Sequence, residues 1–343
     1  MDYHISDENR GAGEGRPRFL FRRFGPIAAA VILAALLIGG LAAAGLAPAG
    51  SGPAVPVTVA PHERFTDIAA TLSGNHLLRS RAIFEVAALL SGVAFHVPSG
   101  TYLISSGMSV PEILHELSRG PRTVTVTIPE GSNLYEIDRT LADAGVIQRG
   151  ALIGYAAAGD LEGRLFPDTY QFFEGSSVAT VVQKFLDNFN AKAGPLLPAD
   201  PAAALRTLTL ASLIEQEAPD PHDESMIAGI IEKRLSAGML LQIDATVCYA
   251  KQITLPGEVV DCSSLTRSDF ASSSPYRSPY NTYLFKGLPP GPIGDPGTAA
   301  ITAALHPISS PYWYYLSDPA TGKIVYAVTL AGQEANIKKY LSP

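Results

Sequence analysis

The sequence is poor in the residues that mark most familiar chemistries. Its 343 residues include only two cysteines and seven scattered histidines. No Cys/His spacing suits a zinc site, so no metal is expected. A G-x-S-x-G elbow, an H-E-x-x-H helix and a phosphate-binding P-loop are all missing. Serine-esterase, zincin and nucleotide-hydrolysing mechanisms therefore lack their signatures. Positive charge is scarce as well: 25 Lys and Arg stand against 32 Asp and Glu, for a formal net charge of -7. Without a basic stripe, nucleic acid is not an expected partner. Tandem repeats are absent, and so are low-complexity tracts outside one apolar run.

That run lies between Pro26 and Pro48 and carries no charge. About 20 apolar residues in a helix cross a hydrocarbon core of about 30 Å. A cleaved signal peptide is the rival reading, but its apolar region is shorter and nearer the N-terminus. Arg10, Arg16, Arg18, Arg22 and Arg23 precede the run, and no Lys or Arg follows it until Arg64. The positive-inside rule puts the N-terminus in the cytoplasm and everything after about residue 48 outside. Residues 1–25 then read as a polar, Gly-rich cytoplasmic tail and 26–48 as the transmembrane helix. The two cysteines, Cys248 and Cys262, fall in the outer compartment. A disulfide and a pair of buried free thiols are both compatible with the sequence.

Beyond the short linker Gly50–Pro53, residues 49–122 form a small unit. AVPVTVA and GTYLIS alternate as strands do, and FTDIAATLSGN and RSRAIFEVAALLSG have helical spacing. Ser109 caps a further helix that carries Pro111 in its first turn and ends at Gly120. Residues 123–343 make a second, larger domain. TVTVTI at 123–128 predicts a strand, and helices are expected after Ser132, over 149–160, 177–192, 205–217 and 222–236, at 298–305 and near 333–341. Short strands and long Pro/Gly/Ser loops are expected between Gly238 and 297, with two more strands around 312–316 and 324–329. Short strands mixed with segregated helices argue for an α+β class.

The helix ending LASLIEQEAPDP is the most informative segment. Leu210, Leu213 and Ile214 share one face, and Glu217 continues that face at i+7, i+4 and i+3. Glu215 points elsewhere. A carboxyl on a buried stripe has its pKa raised by desolvation. The negative helix end, which Pro219 and Pro221 close off, pushes in the same direction. Such a group suits protonation of a glycosidic oxygen. Pairing of Glu217 with an arginine is the bland alternative. Gln242, Asp244 and Thr246 share one face of a strand-like stretch and offer partners for sugar hydroxyls and acetamido groups. An exposed polar strand face is the competing reading there. In the loop 278–297, Tyr280 and Tyr283 are candidates to stack on sugar rings and Asn281 to hydrogen-bond them, unless the loop is only a rigid filler.

These segments together resemble the endolytic murein transglycosylase family, the YceG-like proteins. The carriers are GTYLISSGMSVPEILHELSRG, IPEG at 128–131, LEGRLFPDTYQF at 161–172, ASLIEQEA at 211–218, RLSAGMLLQIDATVCYA at 234–250 and SPYNTYLFKGLPPGPIGDPG at 278–297. The resemblance implies a LysM-like domain after the anchor and then an α+β catalytic domain. It implies cleavage of nascent peptidoglycan strands at the outer face of the bacterial cytoplasmic (inner) membrane, without an organic cofactor and with peptidoglycan synthases or division proteins as further partners. It places the catalytic role on Glu217, and substrate binding on Gln242, Asp244 and Thr246 and on Tyr280, Asn281, Thr282 and Tyr283. The chain departs from the family pattern at Arg164, Ala245, near Ile324 and at Gln333-Glu334, where the family carries other residues. A peptidoglycan-binding scaffold and a muramidase-type hydrolase are the alternative functions.

Overall fold

The computed structural model describes residues 21–341 apart from 158, 219, 256, 258 and 259. Residues 1–20 of the expected tail (1–25) and Pro219 therefore lie outside the described residues, while 21–25 already belong to the first helix and not to the tail. The chain is a mixture of helices and short strands, and it divides into two compact units.

The first unit comprises residues up to 99 and 104–120. It begins with helix α1 (Phe21–Leu46), within which Ile27–Leu46 has a mean hydropathy of 2.6 and is long and apolar enough to cross a membrane. Strand β1 (Ala54–Val59) precedes helices α2 (Phe65–Gly74) and α3 (Arg81–Ser91), and strand β2 (Gly100–Ser105) follows them, its first four residues being counted with the second unit. Helix α4 (Val110–Arg119) closes the unit. Alternation in β1 turns Val57 and Val59 inward, where they join Ile68, Leu72, Phe84 and Ile113 in the core. Ser109 and Glu112 form a reciprocal capping box at the start of α4, with the Ser109 N–H donating to the carboxylate at 2.7 Å. The linker is pinned: Gly50 N–H donates to the Ser106 carbonyl and Gly52 N–H to its hydroxyl, both at 2.8 Å.

The second unit holds residues 100–103 and 121–343. Strand β3 (Thr123–Thr127) pairs antiparallel with β4 (Thr169–Phe173), with Val126 opposite Tyr170. Their inner face packs on α5 (Leu134–Asp143), α6 (Ala151–Ala156) and α7 (Val178–Lys192) through Ile137, Leu141, Leu152 and Phe185. The start of α5 falls one residue later than the sequence suggests, because Asn133 and Glu136 make the capping box. Asp138 is spent on α6, accepting the N–H groups of Gly150 and Leu152 at 2.7 and 2.9 Å.

Helix α8 (Pro201–Glu217) is the centre of the other core. Helices α9 (Pro221–Ser236) and α11 (Thr298–Leu305) pack against it, and residues 207–214 are buried without interruption. It starts four residues earlier than periodicity predicts, since Asp200 caps it and Pro201 occupies its first turn. Strands β5 (Tyr314–Ser317) and β6 (Ile324–Ala327) form a hairpin, followed by α12 (Leu330–Tyr340).

One expected element is corrected. The stretch after Gly238 contains no strand among its described residues. Gln242 has φ of 55°, in the left-handed region, and helix α10 (Asp244–Thr254) starts two residues later. The alternation Leu241, Gln242, Ile243, Asp244 mimics a strand, yet both apolar members anchor a turn, each 1 % exposed.

Cys248 on α10 and Cys262 are joined in a disulfide, which settles the open choice between bridge and free thiols. A bridge closing a loop of this length contributes about 3 kcal/mol. Reduction, or Cys262→Ser, should lower stability by about that amount in a denaturant titration. Free thiols in the denatured, unreduced protein would contradict the bridge.

Candidate active site

Glu217 is the last residue of α8, and the next residue, Ala218, is already extended (ψ 135°). Residues before a proline are pushed in that direction, so the stop is written into the sequence. The side chain of Glu217 faces a cleft of about 510 Å³. Arg234 of α9, Gln242, Asp244 at the start of α10, Tyr283 and Tyr315 of β5 line the same cleft. The wall formed by α12 adds apolar Leu330 and Ile337 and polar Gln333.

Protein surrounds Glu217 on every side but the cleft, through which it remains partly accessible. Burial pushes its carboxyl up to about 7. Contact with the Tyr315 hydroxyl lowers it, the Asp244 carboxylate raises it, and the positive charge of Arg234 lowers it. The arginine does not neutralise it by direct pairing. Among the described residues no ion pair within 4.0 Å involves Glu217; the guanidinium of Arg234 donates instead to the carbonyls of Trp313 (2.8 Å) and Leu241 (2.5 Å). The result is a carboxyl that holds its proton near neutral pH beside a fixed positive charge.

A raised pKa is not unique to Glu217. Glu224 is also pushed to about 7 by burial, and Glu162 and Asp295 are raised for the same reason. Glu162 is committed to structure: it accepts the Tyr249 hydroxyl at 2.8 Å and the Leu134 N–H at 3.1 Å. Asp295 accepts the Leu165 N–H at 2.5 Å. Glu217 differs in lining the cleft with amide, carboxylate and phenol groups around it. Glu215, two residues earlier, accepts the Gly297 N–H at 2.9 Å and so holds the loop before α11.

The expected binding residues separate into two groups. Gln242, Asp244 and Tyr283 share the cleft with Glu217, and the Tyr283 hydroxyl donates to Asp244 at 2.5 Å. Burial first, and then that carboxylate, raise the Tyr283 phenol, which therefore stays a donor. Thr246, Asn281 and Thr282 are at most 1 % exposed. The Thr246 and Thr282 hydroxyls meet at 2.9 Å, and Thr282 also accepts the Ile243 N–H at 3.0 Å. They latch the loop to α10 and thereby hold Gln242 and Tyr283 in place. Tyr280 packs its ring on Tyr249, with centroids 4.9 Å apart.

Arg234, Tyr314, Tyr315 and Gln333 line the cleft without having been singled out as binding residues. Arg234 sits in the quoted RLSAGMLLQIDATVCYA stretch, so its segment was visible but its direction was not. Gln333 was noted only as a departure from the family pattern. Its amide donates to the Tyr315 carbonyl at 2.8 Å, and its buried oxygen has no partner among the described residues. Ile324, another of the departures, lies in β6 against the core.

The raised carboxyl has a consequence for stability. An unfolded glutamate titrates near 4.3. The folded form keeps its proton to about pH 7, so Glu217 destabilises the protein increasingly as pH rises from about 4.3 to 7. Glu217→Gln should therefore be more stable than the parent at pH 8, by about 1–3 kcal/mol, with the gap closing at pH 4. Melting curves at the two pH values check this; a gap independent of pH would contradict it.

Comparison with known proteins places the chain in a family. A curated endolytic murein transglycosylase of Bacillus subtilis (strain 168) is 28 % identical over 319 residues, covering 84 % of this chain and 85 % of that protein. One from Streptococcus pneumoniae serotype 2 (strain D39) is 27 % identical over 329 residues. That match covers 84 % of this chain but only 58 % of the length of that relative. A 2.6 Å crystal structure of a putative YceG-like protein from Listeria monocytogenes matches with a TM-score of 0.51 and 25 % identity, over 83 % of this chain and all of that one. The YceG-like family pattern itself matches residues 57–339, a span that includes the α8 terminus, the α10 turn and the β5–β6 hairpin around the cleft, and the chain belongs to that family.

Proposed function

We propose that the protein is a membrane-anchored endolytic lytic transglycosylase of peptidoglycan, with Glu217 as its one acid and base. The observation that carries this reading is a largely enclosed carboxyl lining a polar cleft, which burial pushes up to about 7. Neutral Glu217 donates its proton to the glycosidic oxygen between MurNAc and GlcNAc as the bond to MurNAc C1 breaks. An oxocarbenium-like centre remains on MurNAc. The Glu217 carboxylate then accepts the proton of the MurNAc C6 hydroxyl as O6 bonds to C1. The carboxyl is restored, a 1,6-anhydro end is formed, and no water is consumed. Arg234 stabilises the carboxylate between the two steps, and Asp244, held by Tyr283, faces the developing positive charge.

Gln242, Gln333 and the phenols of Tyr283 and Tyr315 are positioned to hydrogen-bond acetamido and hydroxyl groups. Thr246, Tyr280, Asn281 and Thr282 act behind them as supports. The small unit is the LysM-like domain, placed between the anchor and the catalytic domain. The arginines before α1 orient the chain with its N-terminus in the cytoplasm and its catalytic domain outside the inner membrane, where strands leave the synthases. Synthases or division proteins are its further partners.

Asp244 favours a second reading. A muramidase-type hydrolase uses two carboxyl groups, and Asp244 is the second carboxylate lining the cleft with Glu217. Glu217→Gln should lower strand cleavage by about a thousandfold or more while strands still bind. Glu215→Gln should be mild, because an amide oxygen still accepts the Gly297 N–H. Above about pH 7, kcat/KM should fall roughly tenfold per pH unit. Retained turnover in Glu217→Gln would sink the assignment. Loss in Asp244→Asn as deep as in Glu217→Gln would favour the hydrolase.

A further inference from the structure

Helix α3 turns only part of its apolar surface inward. Phe84 and Ala88 are fully buried, whereas Val86 and Leu89 are 55 % and 56 % exposed, and Leu90 is 85 % exposed. Phe95, in the short 3-10 turn Val93–Phe95 that follows, is 80 % exposed. Scattered exposed apolar residues are ordinary. Four large ones within ten residues make a patch that marks an interaction surface.

The patch is continuous with the membrane helix. Helices α1 and α3 pack together inside the first unit. Near the end of α1, a methyl added at Gly45 would fall 2.0 Å from Cδ1 of Ile83. Two residues after α1 ends at Leu46, the carbonyl of Pro48 accepts the Arg79 guanidinium at 2.5 Å. Ile83, Ala87 and Leu90 follow at i, i+4 and i+7, so one row of α3 starts at the anchor and runs into the patch. Leu90 lies only about 10 Å along the helix from Ile83. The charged residues of α3, Arg81 and Glu85, are paired with each other at 2.7 Å and do not interrupt the row.

We propose that Leu89, Leu90 and Phe95 bed into the outer-leaflet boundary of the same bilayer that α1 crosses. The inference rests on α1 being a membrane span. The small unit is then held to the membrane surface at a second place, by an amphipathic helix lying in the interface, as well as by its tether.

The test uses the full chain in phosphatidylcholine–phosphatidylglycerol vesicles. Trp313 is the only tryptophan, and Trp313→Phe makes the background silent. Phe95→Trp, an exposed and conservative change, then reports on the patch, and Leu36→Trp, in mid-span, reports on α1. Bedding predicts blue-shifted Phe95→Trp emission that is quenched about twofold more by lipids brominated near the headgroup than by lipids brominated near the chain ends. Leu36→Trp should show the reverse order. Solvent-like, unquenched Phe95→Trp emission beside a quenched Leu36→Trp overturns the patch alone. Blue-shifted but unquenched emission means a second copy or another protein covers it, and also overturns the proposal. If neither position is quenched, the span reading fails and the patch proposal fails with it.

Discussion

A carboxyl held among protein groups at the end of an apolar helix is the constraint on which the site depends. Residues 207–214 of α8 are buried because α9 and α11 enclose them. A helix packed in this way leaves its last residue largely enclosed and open only to the cleft. An ionised carboxylate there is costly to hold without compensation, so the group keeps its proton to about pH 7. Arg234 moderates that cost from a distance while its own hydrogen bonds are spent on two backbone carbonyls. Direct pairing would have held Glu217 ionised; with no positive charge nearby, its ionised form would have lacked compensation.

The rest of the second unit serves to place groups opposite that carboxyl. The Thr246–Thr282 latch fixes the 278–297 loop against the start of α10. The same latch holds Gln242 in a left-handed conformation that a non-glycine residue adopts only where its surroundings enforce it. Glu215 and Gly297, and Gly131 and Asp295, tie the IPEG segment and the GDPG segment to the end of α8. A Cβ at Gly294 would fall 2.4 Å from the Gly131 carbonyl oxygen, so this approach of two backbones requires glycine. The Cys248–Cys262 bridge fastens α10, and with it Asp244, to the start of the following loop.

Local signals made much of the fold legible. The capped α4, the alternating β3 and the long α8 were readable because caps, period and burial all act within a few residues. Glu217 was legible for the same reason, being one more position on an apolar stripe. The turn at Gln242 was not, since a tight turn flanked by two anchoring apolar residues has the same period as a strand. Nor were the cleft roles of Arg234, Tyr315 and Gln333. Their positions come from α9, the β5–β6 hairpin and α12 meeting at the end of α8, which no window of the sequence contains. The buried Thr246 and Thr282 were not legible as a latch either, because a polar residue that holds a loop and one that faces a ligand look alike in sequence.

The central claim is that one carboxyl works twice on an intramolecular nucleophile. The most direct measurement is the mass of the new glycan ends after full-length protein cuts nascent strands in water enriched in oxygen-18. The account predicts 1,6-anhydro ends, lighter than reducing ends by one water and free of the heavy oxygen. Reducing ends that carry oxygen-18 would show that water attacks C1, and would contradict it.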